Sequence, residues 1–177
     1  MPVYHSSISD ADARVLGSIP LLPIKTRVRG NAPPAAPNAD DIIDEALDLY
    51  RANSFYRNFE IRGGSDRVLI YLILYIQECL LKLSKLPGQS EANTLLQTHA
   101  VQSFPVPGEA GFPLNAVYTK TSTNDETDQL RQYLTQMRQE LSSRLVQRIY
   151  EDNKPSKWWM CFAKRKFMNI ANVGTRV

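Results

Sequence analysis

Nucleophilic catalysis needs a thiol, hydroxyl or amine held beside a base, and a transition-metal site needs clustered His, Cys or carboxylate ligands. The 177-residue chain offers His5, His99, Cys79 and Cys161, and no two of them stand at ligand spacing. Cys79 falls inside an apolar run, where thiols behave as inert small hydrophobes. Gly63 and Gly64 lack the GxxxxGK[ST] or GxGxxG surroundings of a phosphate cradle and read as a turn. Asp40, Asp41, Asp44, Glu45 and Asp48 could suggest acid and base work, but they cluster where a helix N-terminus favours negative charge. No catalytic residue, cofactor or metal is expected, and the chain reads as a non-enzyme.

Binding chemistry is concentrated in one stretch, KPSKWWMCFAKRK, from Lys154 to Lys166. From Asn153 onward there are six basic residues (Lys154, Lys157, Lys164, Arg165, Lys166 and Arg176) and no acidic one. The remainder carries 15 basic against 18 acidic residues, so the net charge of +3 originates in this tail. Basic residues beside Trp158 and Trp159 could hold phosphates and stack bases, yet the cluster is small and no nucleic-acid module surrounds it. Membrane attachment would need a longer basic amphipathic helix or a second anchor. Protein docking fits better, with one tryptophan in the core and the other an exposed anchor, because Trp and Arg concentrate binding energy at interfaces. The candidate interface residues are Lys157, Trp158, Lys164, Arg165 and Lys166. Phe112 and Pro113 join them from FPVPGEAGFPLN, where prolines lower the entropy cost of presenting aromatic side chains to the core or to a neighbour.

The elements that must position these residues read as an all-α, single-domain fold over 1–177. Residues 1–39 form an extended strap, since Ile19 to Ala39 holds five of the eleven prolines. Helices are expected over 40–58, with Asn38 as cap, over 65–85, with Ser65 as cap, and over 90–100, 125–151 and 156–169. Apolar residues surround the first turns of the 65–85 segment, so it should be enclosed by the others. Its longest apolar run, Val68 to Ile76, is too short to span a bilayer. Leu130, Tyr133 or Leu134, Met137, Leu141, Leu145 and Ile149 make one apolar face of the 125–151 helix. Trp159, Phe162, Ala163 and Phe167 line one side of the last helix, and 103–118 is an ordered loop pressed on the body. Two cysteines without a CxxC pattern, and an N-terminus without a basic or apolar leader, suggest a cytosolic protein.

MPVYHSS at 1–7, LLPIK at 21–25, DIIDEALDLYRAN at 41–53, SDRVLIYLILYIQECLLKL at 65–83, FPVPGEAGFPLNAVY at 104–118 and NKPSKWWMCFAKRKFMN at 153–169 together resemble the family of the third, roughly 21-kDa subunit of the actin-related protein 2/3 complex. The resemblance runs through nearly the whole chain in order, and GEAGFPLNA and KPSKWW are its most specific stretches. It implies an all-α fold with one enclosed helix. It also implies a non-catalytic place in a seven-subunit assembly that nucleates actin branches on an existing filament, in the cytoplasmic actin cytoskeleton. The implied partners are actin-related protein 3, the other subunits and, through the complex, the mother filament, with no nucleic acid and no membrane. The alternative reading is a small helical nucleic-acid-binding module that uses the basic tail.

Overall fold

The computed structural model describes residues 3–170; Met1, Pro2 and 171–177, including Arg176 of the basic tail, lie outside the described residues. Among the described residues there are five α-helices: α1 Ile42–Asn53, α2 Gly64–Lys82, α3 Gln89–Val101, α4 Asn124–Ile149 and the single turn α5 Lys157–Met160. The all-α expectation is corrected by four short strands. β1 Val15–Leu16 pairs antiparallel with β2 Ile19–Pro20, and β3 Tyr150–Glu151 pairs antiparallel with β4 Lys154–Pro155. The class is therefore mixed α and β. Two-residue strands have no readable periodicity, and the hairpins are set instead by their turns. Gly17 takes φ 64°, where an added Cβ would meet the Thr119 carbonyl oxygen at 2.4 Å. Asp152 and Asn153 take φ 49° and 61°, the left-handed pair that matches strand twist in a two-residue hairpin.

The helix that was expected to run to 151 stops at Ile149 to enter this hairpin. The one expected over 156–169 is only one turn, followed by further turns and a short 3₁₀ segment at Phe167–Asn169. Tertiary packing decides this: Phe167 is fully buried, and Met168 and Asn169 adopt φ 53° and 59° to put it there. The first expected helix, 40–58, is shortened to α1.

α2 organises the rest. Every residue from Val68 to Leu80 is buried, and the helix packs against α1, α3, α4, β2 and the 3₁₀ segment. Among the described residues no helix is long and apolar enough to cross a membrane. Neither expected cap is used. Asp41, not Asn38, caps α1, accepting from the Ile43 and Asp44 N–H groups, while the Asp44 side chain accepts from the Asp41 N–H. Ser65 donates to the Ile8 carbonyl, and Gly63 takes the cap position of α2 without a side-chain bond.

The strap is sewn to the helices by side chains. His5 Nδ1 lies 2.7 Å from Asp66 Oδ2, and the Ser6 and Arg62 N–H groups also donate to that carboxylate. Arg144 of α4 places its fork on Asp41, at 2.7 and 2.9 Å, donates also to Asp44 at 3.0 Å and to the Lys25 carbonyl, and reaches Glu140 through Nε at 2.8 Å. Lys25 Nζ sits 2.8 Å from Asp44. Burial works to raise the Asp44 pKa, but the Lys25 bond, the Asp41 backbone bond and the Arg144 charge overcome it and hold the carboxyl below its usual 3.8.

A carboxyl depressed in the folded state stabilises above its unfolded pKa, and that contribution fades as pH falls through the folded value. The wild-type chain should therefore exceed Asp44→Asn in stability at pH 7, with the gap closing below about pH 4. Urea midpoints of both chains from pH 7 to pH 3 check this, and a gap that is constant with pH would refute it.

Candidate functional site

The hairpin β3–β4 delivers the C-terminal segment to the surface of α1, with the Ser156 N–H closing on the Ile149 carbonyl at 2.6 Å. Adjacent residues on a helical turn point about 100° apart, so the tryptophan pair is split by α5. Trp159 is buried and lies parallel to the Tyr50 ring, centroids 6.0 Å apart and planes 6° apart, with the Arg51 guanidinium 5.4 Å from its own ring centroid. Trp158 is 75% exposed. Burial raises the Tyr50 hydroxyl pKa well above its usual value, so the stack has a neutral phenol at physiological pH.

Around this pair an aromatic platform forms. Phe162 meets Tyr50 edge-on at 6.4 Å and Phe55 at 5.7 Å. Arg165 lies 4.4 Å over the Phe55 ring, and Phe55 is 57% exposed. Lys157, Lys164, Arg165 and Lys166 are all exposed. A cation over an exposed ring is worth about 0.5–1 kcal/mol and holds the guanidinium in place without neutralising it. The segment thus presents positive charge and flat apolar surface together.

Phe112 and Pro113 lie in a different setting. The loop 103–118 folds on itself: Asn115 accepts from the Gly108 N–H and donates to the Glu109 carbonyl, and Glu109 accepts from the Val106 N–H. Arg131 of α4 donates to the Phe104 carbonyl and pairs with Glu109, while Tyr118 donates to the Arg67 carbonyl of α2 at 2.5 Å. Phe112 is buried edge-on against Tyr118 at 5.3 Å, and Pro113 is exposed. Phe112 thus already has a partner within its own chain.

Sequence reasoning missed Phe55 and Arg51 as members of the platform. Their signal is faint: both fall in one continuous helical reading of 40–58, and only the end of α1 at Asn53 separates Phe55 from the helix and turns it towards Phe162.

The residues that could have carried catalysis are placed elsewhere. His99 Nε2 lies 3.1 Å from Glu78 in the core, stacked on Tyr75, and His5 is bound to Asp66. Burial pushes the Cys79 thiol up to about 12, which leaves it protonated and unreactive. Cys161 is exposed, its thiol 3.2 Å from the Trp158 carbonyl. Among the described residues no group of three or more His, Cys, Asp or Glu could hold a metal ion.

Comparison with known proteins follows the same line. Residues 1–171 match the family model described as P21-Arc, the ARP2/3 complex ARPC3 (21 kDa) subunit. A protein of Dictyostelium discoideum named actin-related protein 2/3 complex subunit 3 is 50% identical over 173 residues, covering 96% of this chain and 99% of that protein. Proteins of the same name from Schizosaccharomyces pombe and Arabidopsis thaliana are 49% and 40% identical, covering 97% and 95% of this chain and 99% and 98% of theirs.

Two contrasts in stability follow from the geometry. Trp159→Ala should cost about 3 kcal/mol and Trp158→Ala less than about 0.5 kcal/mol; comparable losses in denaturant unfolding of the full chain would contradict the split. Phe112→Ala should cost about 3 kcal/mol. An unchanged unfolding midpoint would instead mark the ring as a contact reserved for another chain.

Proposed function

The chain belongs to the family of the ARP2/3 complex ARPC3 (21 kDa) subunit, and from that premise we propose that it is a non-catalytic structural subunit that packs on actin-related protein 3 and supports nucleation of branched actin filaments. The observation that carries the docking part is the exposed Trp158 at the head of a segment whose charged side chains are all basic. Flat aromatic surface supplies area to bury, and a single sign of charge selects and orients an acidic counterpart. The rest of the complex completes the partner set, with the mother filament reached through the assembly. This gives the chain a place in the cytoplasmic actin cytoskeleton.

Changing Lys164, Arg165 and Lys166 together to Glu tests the reading. These side chains are exposed, so stability should fall by no more than the roughly 1 kcal/mol of the Arg165–Phe55 contact, while incorporation into the complex should weaken by roughly tenfold or more. Co-purification with actin-related proteins and branch formation in actin assembly are the readouts. Unchanged assembly and branching would remove the proposal. Recovery with single-stranded nucleic acid instead, in an association that falls steeply with salt, would point to a nucleic-acid-binding module.

A further inference from the structure

Gln77 and Glu78 interrupt the apolar run of α2, and both are buried. The carboxamide of Gln77 has a defined task. Its Oε1 accepts from the Phe167 N–H at 2.8 Å, and its Nε2 donates to the Ile170 carbonyl at 2.8 Å. One donor and one acceptor at equal reach reproduce what a neighbouring strand would offer. We infer that Gln77 is the positioning residue for the C-terminal docking segment, gripping the backbone of 167–170 and thereby fixing where Lys164, Arg165 and Lys166 are presented. The functional consequence rests on the docking reading above; the grip itself rests on the geometry.

Three observations support it. Met168 and Asn169 have positive φ, a conformation that side-chain-bearing residues adopt at a cost, so the segment would not keep this shape unaided. Its other described anchors are Phe167, fully buried and edge-on to Phe59 at 6.0 Å, the Met168 N–H donating to the Tyr56 carbonyl at 3.0 Å, and the half-buried Met168 and Ile170 side chains packed against the core. The basic run is therefore held between two fixed points, α5 on one side and Gln77 on the other. The device also recurs in this fold. Asn53 grips both the N–H and the carbonyl of Tyr4, and Gln136 grips the Ala32 N–H and the Val28 carbonyl.

The test uses the full-length chain. Gln77→Met keeps the volume and removes both bonds, and Leu96→Ala, in the core of α3, serves as a destabilised control. In Gln77→Met, trypsin cleavage after Lys164, Arg165 and Lys166 should accelerate by about tenfold relative to wild type, as two lost hydrogen bonds imply for a local opening. In Leu96→Ala it should not. Unchanged cleavage in folded Gln77→Met, or equal acceleration in both chains, overturns the inference. If Gln77→Met does not fold, hydrogen exchange on the wild-type chain decides. The Phe167 amide should be protected like those of α2, and exchange as fast as an open loop overturns the inference. Release of the segment in Gln77→Met without loss of incorporation into the complex would leave the grip standing and sink the docking reading.

Discussion

A helix with no polar face cannot lie on a surface, and α2 is such a helix. From Val68 to Leu80 it buries every residue, so each side needs a cover. Helices α1, α3 and α4 supply part of it, and irregular chain supplies the rest: the β1–β2 hairpin and the proline-containing strap, the 103–118 loop, and the segment that ends in Phe167. Each large apolar side chain moved out of water contributes roughly 1.5–3 kcal/mol. That gain holds extended segments against the protein although they have few backbone hydrogen bonds of their own.

Covering a core with irregular chain creates a second demand, since its buried N–H and C=O groups have no ladder to join. Side chains that donate and accept at once answer it here. Besides the carboxamides of Asn53, Gln77 and Gln136, the Tyr133 hydroxyl accepts from the Leu22 N–H at 2.8 Å and lies 3.1 Å from the Leu22 carbonyl. Arginines do the corresponding work where carbonyls cluster. Arg138, fully buried, donates to the carbonyls of His99 and Ala100 in the last turn of α3, and its guanidinium lies over the rings of Phe104 and Tyr75 at 4.1 and 4.5 Å. Burial works against that charge. The nearby tyrosines and Glu78 outweigh it, so the Arg138 pKa is raised.

What the sequence made legible follows the same division. The need to enclose α2 and the apolar face of α4 could be read because helical periodicity is a local property carried by many residues. Caps and hairpins depend on single positions. Asn38 and Asp41 are equally good cap residues in isolation; Asp41 is the one joined by the reciprocal Asp44 bond, the Lys25 N–H and the Arg144 fork, two of which come from distant sequence. The Asp152–Asn153 turn was hidden at the end of a helical pattern, and with the Gly17 turn it made an all-α reading fail. The split of Trp158 and Trp159 followed from one helical turn. The membership of Phe55 and the role of Gln77 needed contacts across 107 and 90 positions of sequence, from Phe55 to Phe162 and from Gln77 to Phe167, which no local pattern encodes.

The irregularity of the C-terminal segment bears on what it can do. A free basic tail would meet an acidic partner by electrostatic attraction alone and would lose its conformational freedom on docking. Between Lys157 and Ile170 the backbone is instead tied to the core at several points. The hairpin fixes one end, Trp159 is stacked on Tyr50 with Arg51 over its ring, and the backbone at Phe167 is bonded to Gln77. Trp158 and the three consecutive cations therefore stand on a surface whose shape is set by the core. The pull of Phe167 towards α2, which breaks the expected helix, also ties down the chain that follows the basic run. Under the docking proposal, the constraint that shapes the fold and the feature that presents the cations are one.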